Sequence, residues 1–494
     1  MPDCLLAIDQ GTHASRAVIF DLKGRSLASR VVPLRTVCPM PGWVEQDPDD
    51  IFESSVHAAR GAMAAGGVDP RDLRAVGIAN QRETLVVWDR ASGRPAAPAI
   101  VWQDRRGQAA CEERAQAAAD LDLAGRTGLR LDPYFTASKL SWLLHGDQDL
   151  MRAARNGRLQ AGTVDSWLLY RLSGGKVWAT EPSNASRTLL YDLWQRRFAQ
   201  ELLDLFSVPT SLLPPVQPSA HRFGVTERDL LGARVPVTGM LGDQQAALLG
   251  QGCLEAGDAK DTFGTGAFLL ACTGKDACRS AHGLLTTVAW DFGDGPNYAL
   301  EGSVFMAGAL LDWLIDLGLA SSPAELDRLA IGAQPGHGAV VIPAHQGLGA
   351  PWWEPGMRGA IWGLTRSSDR SVLARAAFEA IAQQAADLTE AIRDDLGRPL
   401  RDLRIDGGVV RSALLPQLIA DLSGLAVLRS HDHEATARGA AMVAALGAGL
   451  MSAQELPGFV GERETFTPAT AVEQREAERL RWRRAVTQAR GLGA

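Results

Sequence analysis

Cysteine pairs at metal-ligand spacing, long apolar runs and long basic runs are all missing from this chain. The six cysteines (Cys4, Cys38, Cys111, Cys253, Cys272 and Cys278) are scattered, with no C-x-x-C among them. That spacing speaks against a zinc site and a disulfide framework and fits a reducing compartment. No stretch approaches the ~20 apolar residues of a membrane span, and MPDCLLAIDQ has no cationic region followed by a long apolar core. A cytoplasmic protein without membrane insertion is expected, and the Asn184-Ala185-Ser186 glycosylation triplet should then be silent. With 50 basic against 57 acidic residues, a net charge of −7 and no basic run, nucleic acid and anionic membranes are poor candidates for the main partner. An acidic small substrate stays open, because a local pocket can oppose the global sign. Tyrosine is scarce, 4 against 13 Trp, but 46% hydrophobic and 22% charged residues are ordinary for a globular protein. A chain of 494 residues is too long for one ordinary core and predicts roughly two to four domains.

What is present is an order that occurs twice. Leu5–Ile8 and Ala17–Phe20 read as paired strands around Gly11-Thr12-His13-Ala14-Ser15. Asp47-Pro48 opens a helix in which Phe52, Val56, Ala59 and Met63 share a face, and Gly66-Gly67 ends it. DLRAVGIANQ, 72–81, reads as a buried strand running into polar residues. After residue 260, DTFGTGAFLLAC again sets a Gly/Thr turn between apolar strands. A helix over 371–396, with Ile381, Ala385, Leu388 and Ile392 on one face and Gly397 at its end, leads to DLRIDGGVV at 402–410. Each half therefore reads as hairpin, helical material and strand. The expected fold is α/β with two similar domains, 1–248 and 249–494, a cleft between them, and Gly250, Gly252 and Gly257 as hinge.

Turns of glycine and small hydroxyl residues leave backbone N–H groups open to phosphate oxygens. Two such turns on matching hairpins, Gly11-Thr12 and Gly264-Thr265-Gly266, would grip a polyphosphate from both sides, although each alone is more simply a plain hairpin turn. Neither matches a P-loop or dinucleotide fingerprint. Asp9, beside the first turn, is either a surface acid or a holder of a Mg²⁺ water. Asp406-Gly407-Gly408 at a strand end would let an adenine or ribose lie against backbone, although on its own it reads more simply as a strand-to-helix turn needing positive φ. Asp243, between an apolar strand and AALLG, is either an N-cap or a carboxylate placed to take a hydroxyl proton. Gln81-Arg82-Glu83-Thr84 and Trp102-Gln103-Asp104 supply further polar groups, with Trp102 by residue type more a core residue than a binding surface.

AIDQGT (7–12), GWVEQDP (42–48), NQRET (80–84), IVWQDRR (100–106), LDPYF (131–135), TVDSWL (163–168), NASRT (184–188), GDQQAAL (242–248), FGTG (263–266), GLLTT (283–287), ALEGSVFMAG (299–308), GLGAPWW (347–353) and RGAIWGLTR (358–366), with DGG at 406–408, resemble glycerol kinases of the FGGY carbohydrate kinase family, in the same order. The resemblance implies two ribonuclease H-like domains of the actin/hexokinase/Hsp70 type closing on MgATP and glycerol. It implies Arg82, Glu83, Tyr134, Asp243 and Gln244 as hydroxyl ligands, Trp102 and Phe268 as the walls against the carbon backbone, and Asp243 as general base. It implies Asp9 as the acid acting through water on Mg²⁺, nucleotide contacts at Thr12, Thr265, Gly308 and Gly408, and a homodimer or homotetramer.

The chain departs from that pattern at a few places. The family has Thr-Thr-Ser where Thr12-His13-Ala14 stand, so two hydroxyls near the β- and γ-phosphates are missing, while Ser15 and Arg16 are kept. Asp312 and Ser412 stand where glycerol kinases commonly place Gln and Asn near the ATP. His13, Ala14, Arg16, Asp312 and Ser412 are thus expected nucleotide-side positions with altered chemistry. TERDLLGARVPV, 226–237, lacks the Gly-rich insertion of glycerol kinases inhibited by fructose 1,6-bisphosphate. His431-x-His433 offers two imidazoles, too few for a metal site, and is expected to be a loop feature. Arg479–Arg490 reads as a solvated amphipathic helix. Two other readings stand beside glycerol kinase: an FGGY kinase for another polyol or sugar such as erythritol, and a catalytically impaired nucleotide-binding regulatory protein.

Overall fold

The computed structural model describes residues 3–431 and 434–491. β1 (Cys4–Gln10), β2 (Ala14–Asp21) and β3 (Ser26–Pro33) form an antiparallel meander. α1 (Pro48–Gly66) follows; the Asp47 side chain accepts from the Asp49 N–H at its start, and Gly67 ends it at φ 59°. β4 (Leu73–Asn80) then lies parallel to β1. After a helical lobe that includes α2 (Val164–Leu172), β5 (Ala220–Val225) and β6 (Pro236–Gly242) complete a six-stranded sheet in the order β5-β6-β4-β1-β2-β3. α3 (Asp243–Gly250) begins on the residue after β6.

The second half repeats this arrangement. β7 (Ala259–Phe263), β8 (Ala267–Gly274), β9 (Leu285–Asp291) and β10 (Pro296–Val304) lead into α4 (Gly308–Asp316) and the long α5 (Arg370–Leu396). β11 (Leu403–Asp406), β12 (Val427–Ser430), α6 (Ala435–Gly447), β13 (Arg463–Phe466) and α7 (Val472–Arg490) follow. The sheet order is β9-β10-β8-β7-β11-β12-β13. β7, β8 and β10 repeat the antiparallel meander, β11 and β12 run parallel to β7 as β4 and β6 do to β1, and β13 closes the edge antiparallel as β5 does. Apart from the additional edge strand β9, one topology appears twice, the ribonuclease H-like duplication expected.

Strand alternation explains why both faces of the first sheet are apolar. Leu6 and Ile8 face α1, where Ile51, Phe52, Val56, Ala59 and Met63 are all buried, together with Trp167 and Leu168 of α2. Leu5 and Ala7 face the other way, into a core shared with Leu270 and Cys272 of the second sheet. That shared core is built from α3 and from Ala437, Ala440, Ala441 and Ala444 of α6. The outer face of the second sheet is covered by α5, with Ile381, Ala385, Leu388 and Ile392 buried as the helical spacing predicts. α3 and α6 meet at backbone distance: a Cβ on Gly250 would stand 1.9 Å from the Ala435 carbonyl oxygen.

Three sequence expectations are changed or bounded. Arg479 does not face solvent. It is 1% exposed, and its guanidinium bonds the Asp387 carboxylate at 2.6 Å and Glu390 at 3.0 Å, while the Trp482 indole N–H donates to the other Asp387 oxygen at 2.8 Å. The buried cation is tolerated because acceptors on α5 take its N–H groups, and only the outer arginines of α7, such as Arg483 and Arg484, are exposed. His431 lies exposed just past β12, whereas His433 falls outside the described residues. Asn184 is fully buried and its amide bonds Asn80 at 3.1 Å, so the glycosylation triplet offers no acceptor surface.

Replacing Gly250 by Ala forces α3 and α6 apart and should cost about 1–3 kcal/mol by overpacking. Gly146→Ala, with nothing within 4 Å of the added Cβ, should be near neutral, and paired thermal melts compare the two. A second stability effect depends on pH. Asp261 of β7 is fully buried and neither carboxylate oxygen has a hydrogen-bond partner; burial pushes its pKa up, with Lys260 opposing. An acid whose folded pKa lies above its unfolded value stabilises the fold below about pH 4 and loses that contribution as pH rises through the folded value. Asp261→Asn should therefore gain melting temperature relative to the parent as pH is raised from 4 to 8; parallel profiles would refute this.

Candidate active site

The two Gly/Thr turns differ in how they are held. In the first, the Gly11 N–H donates to the Ala14 carbonyl at 3.0 Å, the tight closure of a short hairpin. The Thr12 carbonyl accepts from Gln46 Nε2 at 2.6 Å, and its hydroxyl accepts from the Trp102 indole N–H at 2.8 Å. His13 is exposed at the tip, with its carbonyl tied to the Leu34 N–H at 2.9 Å, and Ala14 is half-buried. Arg16 stands opposite Asp9 in the β1–β2 register, and its Nη2 lies 3.1 Å from Glu434 Oε1, an ion pair between the two halves.

In the second turn the Gly264 N–H donates to the Gly266 carbonyl at 2.9 Å, leaving Thr265 exposed. The Gly264 carbonyl accepts from the Gly308 N–H at 2.9 Å, and the Thr265 carbonyl accepts from Ala307 and Ala309 at 3.0 and 3.1 Å. The turn is thereby fused to the N-terminus of α4, and a Cβ on Gly308 would stand 2.6 Å from the Gly264 carbonyl oxygen. Thr265 and Gly308 are thus brought together. Gly408 is exposed where β11 ends, beside Gly407 at φ 100°. Asp312 is exposed one turn along α4. Ser412 is already engaged: its hydroxyl accepts from the Leu414 and Leu415 N–H groups, both at 3.0 Å, and donates to Asp327.

The acceptor-side residues converge where β4 and β6 end. Asp243 is the first residue of α3, and its carboxylate accepts from the next N–H of the helix, that of Gln244, at 2.7 Å. Arg82 Nε lies 3.3 Å from Asp243 Oδ1, and Gln244 Oε1 accepts from Lys260 Nζ at 2.5 Å. Glu83 follows with left-handed backbone, φ 59°, and its buried carboxylate accepts from Arg187 Nε at 2.6 Å. Trp102 and Tyr134 meet edge to face with ring centroids 5.5 Å apart. Phe268, half-buried on β8, sits on the strand whose carbonyl at that residue accepts from Lys260 Nζ at 3.3 Å.

Electrostatics follow from burial and neighbours. Burial pushes the Asp243 carboxyl up, against Arg82, the Gln244 N–H and Lys260, although 28% of its side chain remains exposed. Asp9 is pushed up to about 7, first by burial and then by Asp243, with Arg16 opposing. Two buried acids, one of which raises the pKa of the other, form a donor pair that a divalent cation fits, since its charge relieves both the repulsion at Asp9 and the desolvation. Among the described residues no cluster of three or more His, Cys, Asp or Glu forms a cage, so a magnesium ion here would rely mainly on phosphate and water oxygens.

Sequence reasoning missed three participants. Glu301 of β10 and Arg187 sit fully buried within the ALEGS and NASRT blocks and complete the ion cluster around Arg82 and Glu83. Despite burial, Arg187 and Arg82 hold the Glu301 carboxyl down at about 2. Lys260 is the third, fully buried, its pKa lowered by burial against Asp406 and Asp261. For Glu301 the available signal was an acid inside a strand between Ala299-Leu300 and Val304, whereas Arg187, in a turn, and Lys260, beside Asp261 and Thr262, carried no such mark.

Known proteins resemble the chain over nearly its whole length. The profile described as the FGGY family of carbohydrate kinases, N-terminal domain, matches residues 4–250, and its C-terminal counterpart matches 259–448. A glycerol kinase of Thermus brockianus is 47% identical over 487 residues, covering 99% of this chain and 98% of that protein. One from Methylibium petroleiphilum is 48% identical over 494 residues, covering 98% and 99%. The crystal structure of Plasmodium falciparum glycerol kinase with ADP superposes at a TM-score of 0.93 with 30% identity, covering 99% of this chain and 98% of that one. Both halves of the domain pair are matched in order, and the relatives match from end to end: the chain belongs to the FGGY family of carbohydrate kinases.

Proposed function

We propose that the protein transfers the γ-phosphoryl group of MgATP to a terminal hydroxyl of glycerol, giving sn-glycerol 3-phosphate and ADP. The observation that carries this reading is the convergence of Arg82, Glu83, Asp243 and Gln244 beside the Trp102–Tyr134 pair. A polyol has a donor/acceptor edge and a C–H face, and this site offers one wall for each. The division into 1–248 for the acceptor and first phosphate turn and 249–494 for the nucleotide is part of the same reading.

MgATP supplies the phosphoryl group and the cation that neutralises its charge. Arg82, Glu83, Tyr134 and Gln244 orient the acceptor hydroxyls, and Trp102 and Phe268 confine the carbon backbone. Asp243 takes the proton as the hydroxyl oxygen bonds to the γ-phosphorus and the bond to the ADP oxygen breaks. Asp9 acts on the magnesium ion through water. The Gly11–Ala14 and Gly264–Gly266 turns, with Thr12, Arg16, Thr265, Gly308, Asp312 and Gly408 around them, hold the nucleotide from both halves, while Ser412, its hydroxyl committed to Asp327 and the helix start, lines the site without a free donor. Alignment by these groups supplies most of the acceleration, because phosphoryl transfer asks little covalent chemistry of the protein. The proximity of Asp9 and Asp243 favours an active kinase over an impaired binding protein. Residence in the cytoplasm and assembly as a homodimer or homotetramer complete the proposal, the latter read by sedimentation.

ADP release from MgATP with a panel of polyols and sugars decides the acceptor. Turnover confined to glycerol supports the proposal; turnover on erythritol or a sugar alone replaces it with another FGGY specificity, and nucleotide binding without turnover refutes it. Asp243→Asn should lower kcat by about 10²–10⁴-fold with folding retained. His13, exposed at the first turn, is proposed to donate to a phosphate in place of the missing hydroxyls. His13→Ala should raise the ATP KM several-fold with the glycerol KM unchanged, and an unaltered ATP KM and kcat would reject that role.

A further inference from the structure

Glu301 lies inside β10, in the second half of the chain, with no exposed surface. Its Oε2 accepts from Arg82 Nη1 at 2.5 Å; its Oε1 accepts from Arg82 Nη2 at 3.1 Å and from Arg187 Nη2 at 3.0 Å. The two-point contact fixes the plane of the Arg82 guanidinium as well as its position. With both Nη atoms drawn to Glu301, Arg82 presents only its Nε edge to Asp243. Arg187 is oriented the same way, one Nη on Glu301 and Nε on Glu83. A single carboxylate thus orders two arginines, and each arginine borders an acid proposed to meet an acceptor hydroxyl.

The charges explain why the arrangement needs Glu301. Without it, the two guanidiniums would have Glu83 and Asp243 as the carboxylates available within the cluster, and Arg82 would turn its Nη groups onto Asp243. That would occupy the oxygens needed for the acceptor's hydroxyl.

We infer that Glu301 is a positioning residue for the acceptor: from the second half it engages the Nη groups of Arg82 and Arg187, so that each guanidinium meets its neighbouring acid, Asp243 or Glu83, through Nε alone. The acceptor site is then complete only when β10 is seated against the first half. This inference rests on the proposed glycerol kinase reading.

The test compares Glu301→Gln and Glu301→Asp with the parent by steady-state kinetics and by calorimetric titration of glycerol without nucleotide. Glu301→Gln keeps the shape and one acceptor but loses the charge. It should raise the glycerol KM, and weaken glycerol binding, by at least about tenfold, with the ATP KM changed less than about twofold. Glu301→Asp, which keeps the charge, should recover part of the loss. If Glu301→Gln does not fold, the same KM split is read on Glu301→Asp. Unchanged glycerol binding, or glycerol and ATP KM rising together with no recovery in the Asp variant, would overturn the positioning role while leaving the kinase reading intact. A parent protein that turns over another acceptor and not glycerol would overturn the kinase reading instead, and this inference with it.

Discussion

The layer between the two sheets is the constraint on which everything else depends. α3 and α6 are sandwiched there, and the backbones touch so closely that glycine at 250 has no substitute without movement. Burial of this kind gains dispersion contacts over a whole helix face rather than from a few large side chains. The consequence is positional. α3 begins at Asp243, so the proposed proton acceptor is anchored at one end of the element that joins the halves.

Polar chemistry is laid over that apolar frame at its open edge. The ends of β4 and β6 deliver Arg82, Glu83 and Asp243, while β7 and β10 deliver Lys260 and Glu301 from the opposite sheet. Lys260 holds Gln244 and Glu301 holds Arg82, so groups proposed to face the acceptor from the first half are oriented by buried charges of the second. Such charges would be costly singly; here each Glu301 oxygen and each engaged guanidinium edge has an ionic partner, which offsets the desolvation.

Much of this was legible in sequence because it is local. Turns, caps and helical faces are set within a few residues, and the Arg82-Glu83 and Asp243-Gln244 pairs are adjacent. The duplicated order of hairpin, helix and strand foretold two like sheets. What escaped is what depends on distant pairing. Glu301 meets Arg82 across 219 positions and Arg187 meets Glu83 across 104. Arg479 read as a solvent-facing arginine because its acceptor, Asp387, lies 92 positions away on another helix. The turns showed where phosphates would be held, but not that Ser412 spends its hydroxyl on Asp327 and on the start of the next helix.

The indole of Trp102 donates its only N–H to the hydroxyl of Thr12. In the proposed kinase, one face of this residue belongs to the acceptor wall and one edge to the first phosphate turn. Trimming Trp102 is in effect a double lesion: it opens the wall and releases the threonine rotor together. In that reading a variant at this position would weaken the acceptor through the lost wall and the nucleotide through the lost bond, and its kinetics would mimic cooperativity between the two sites.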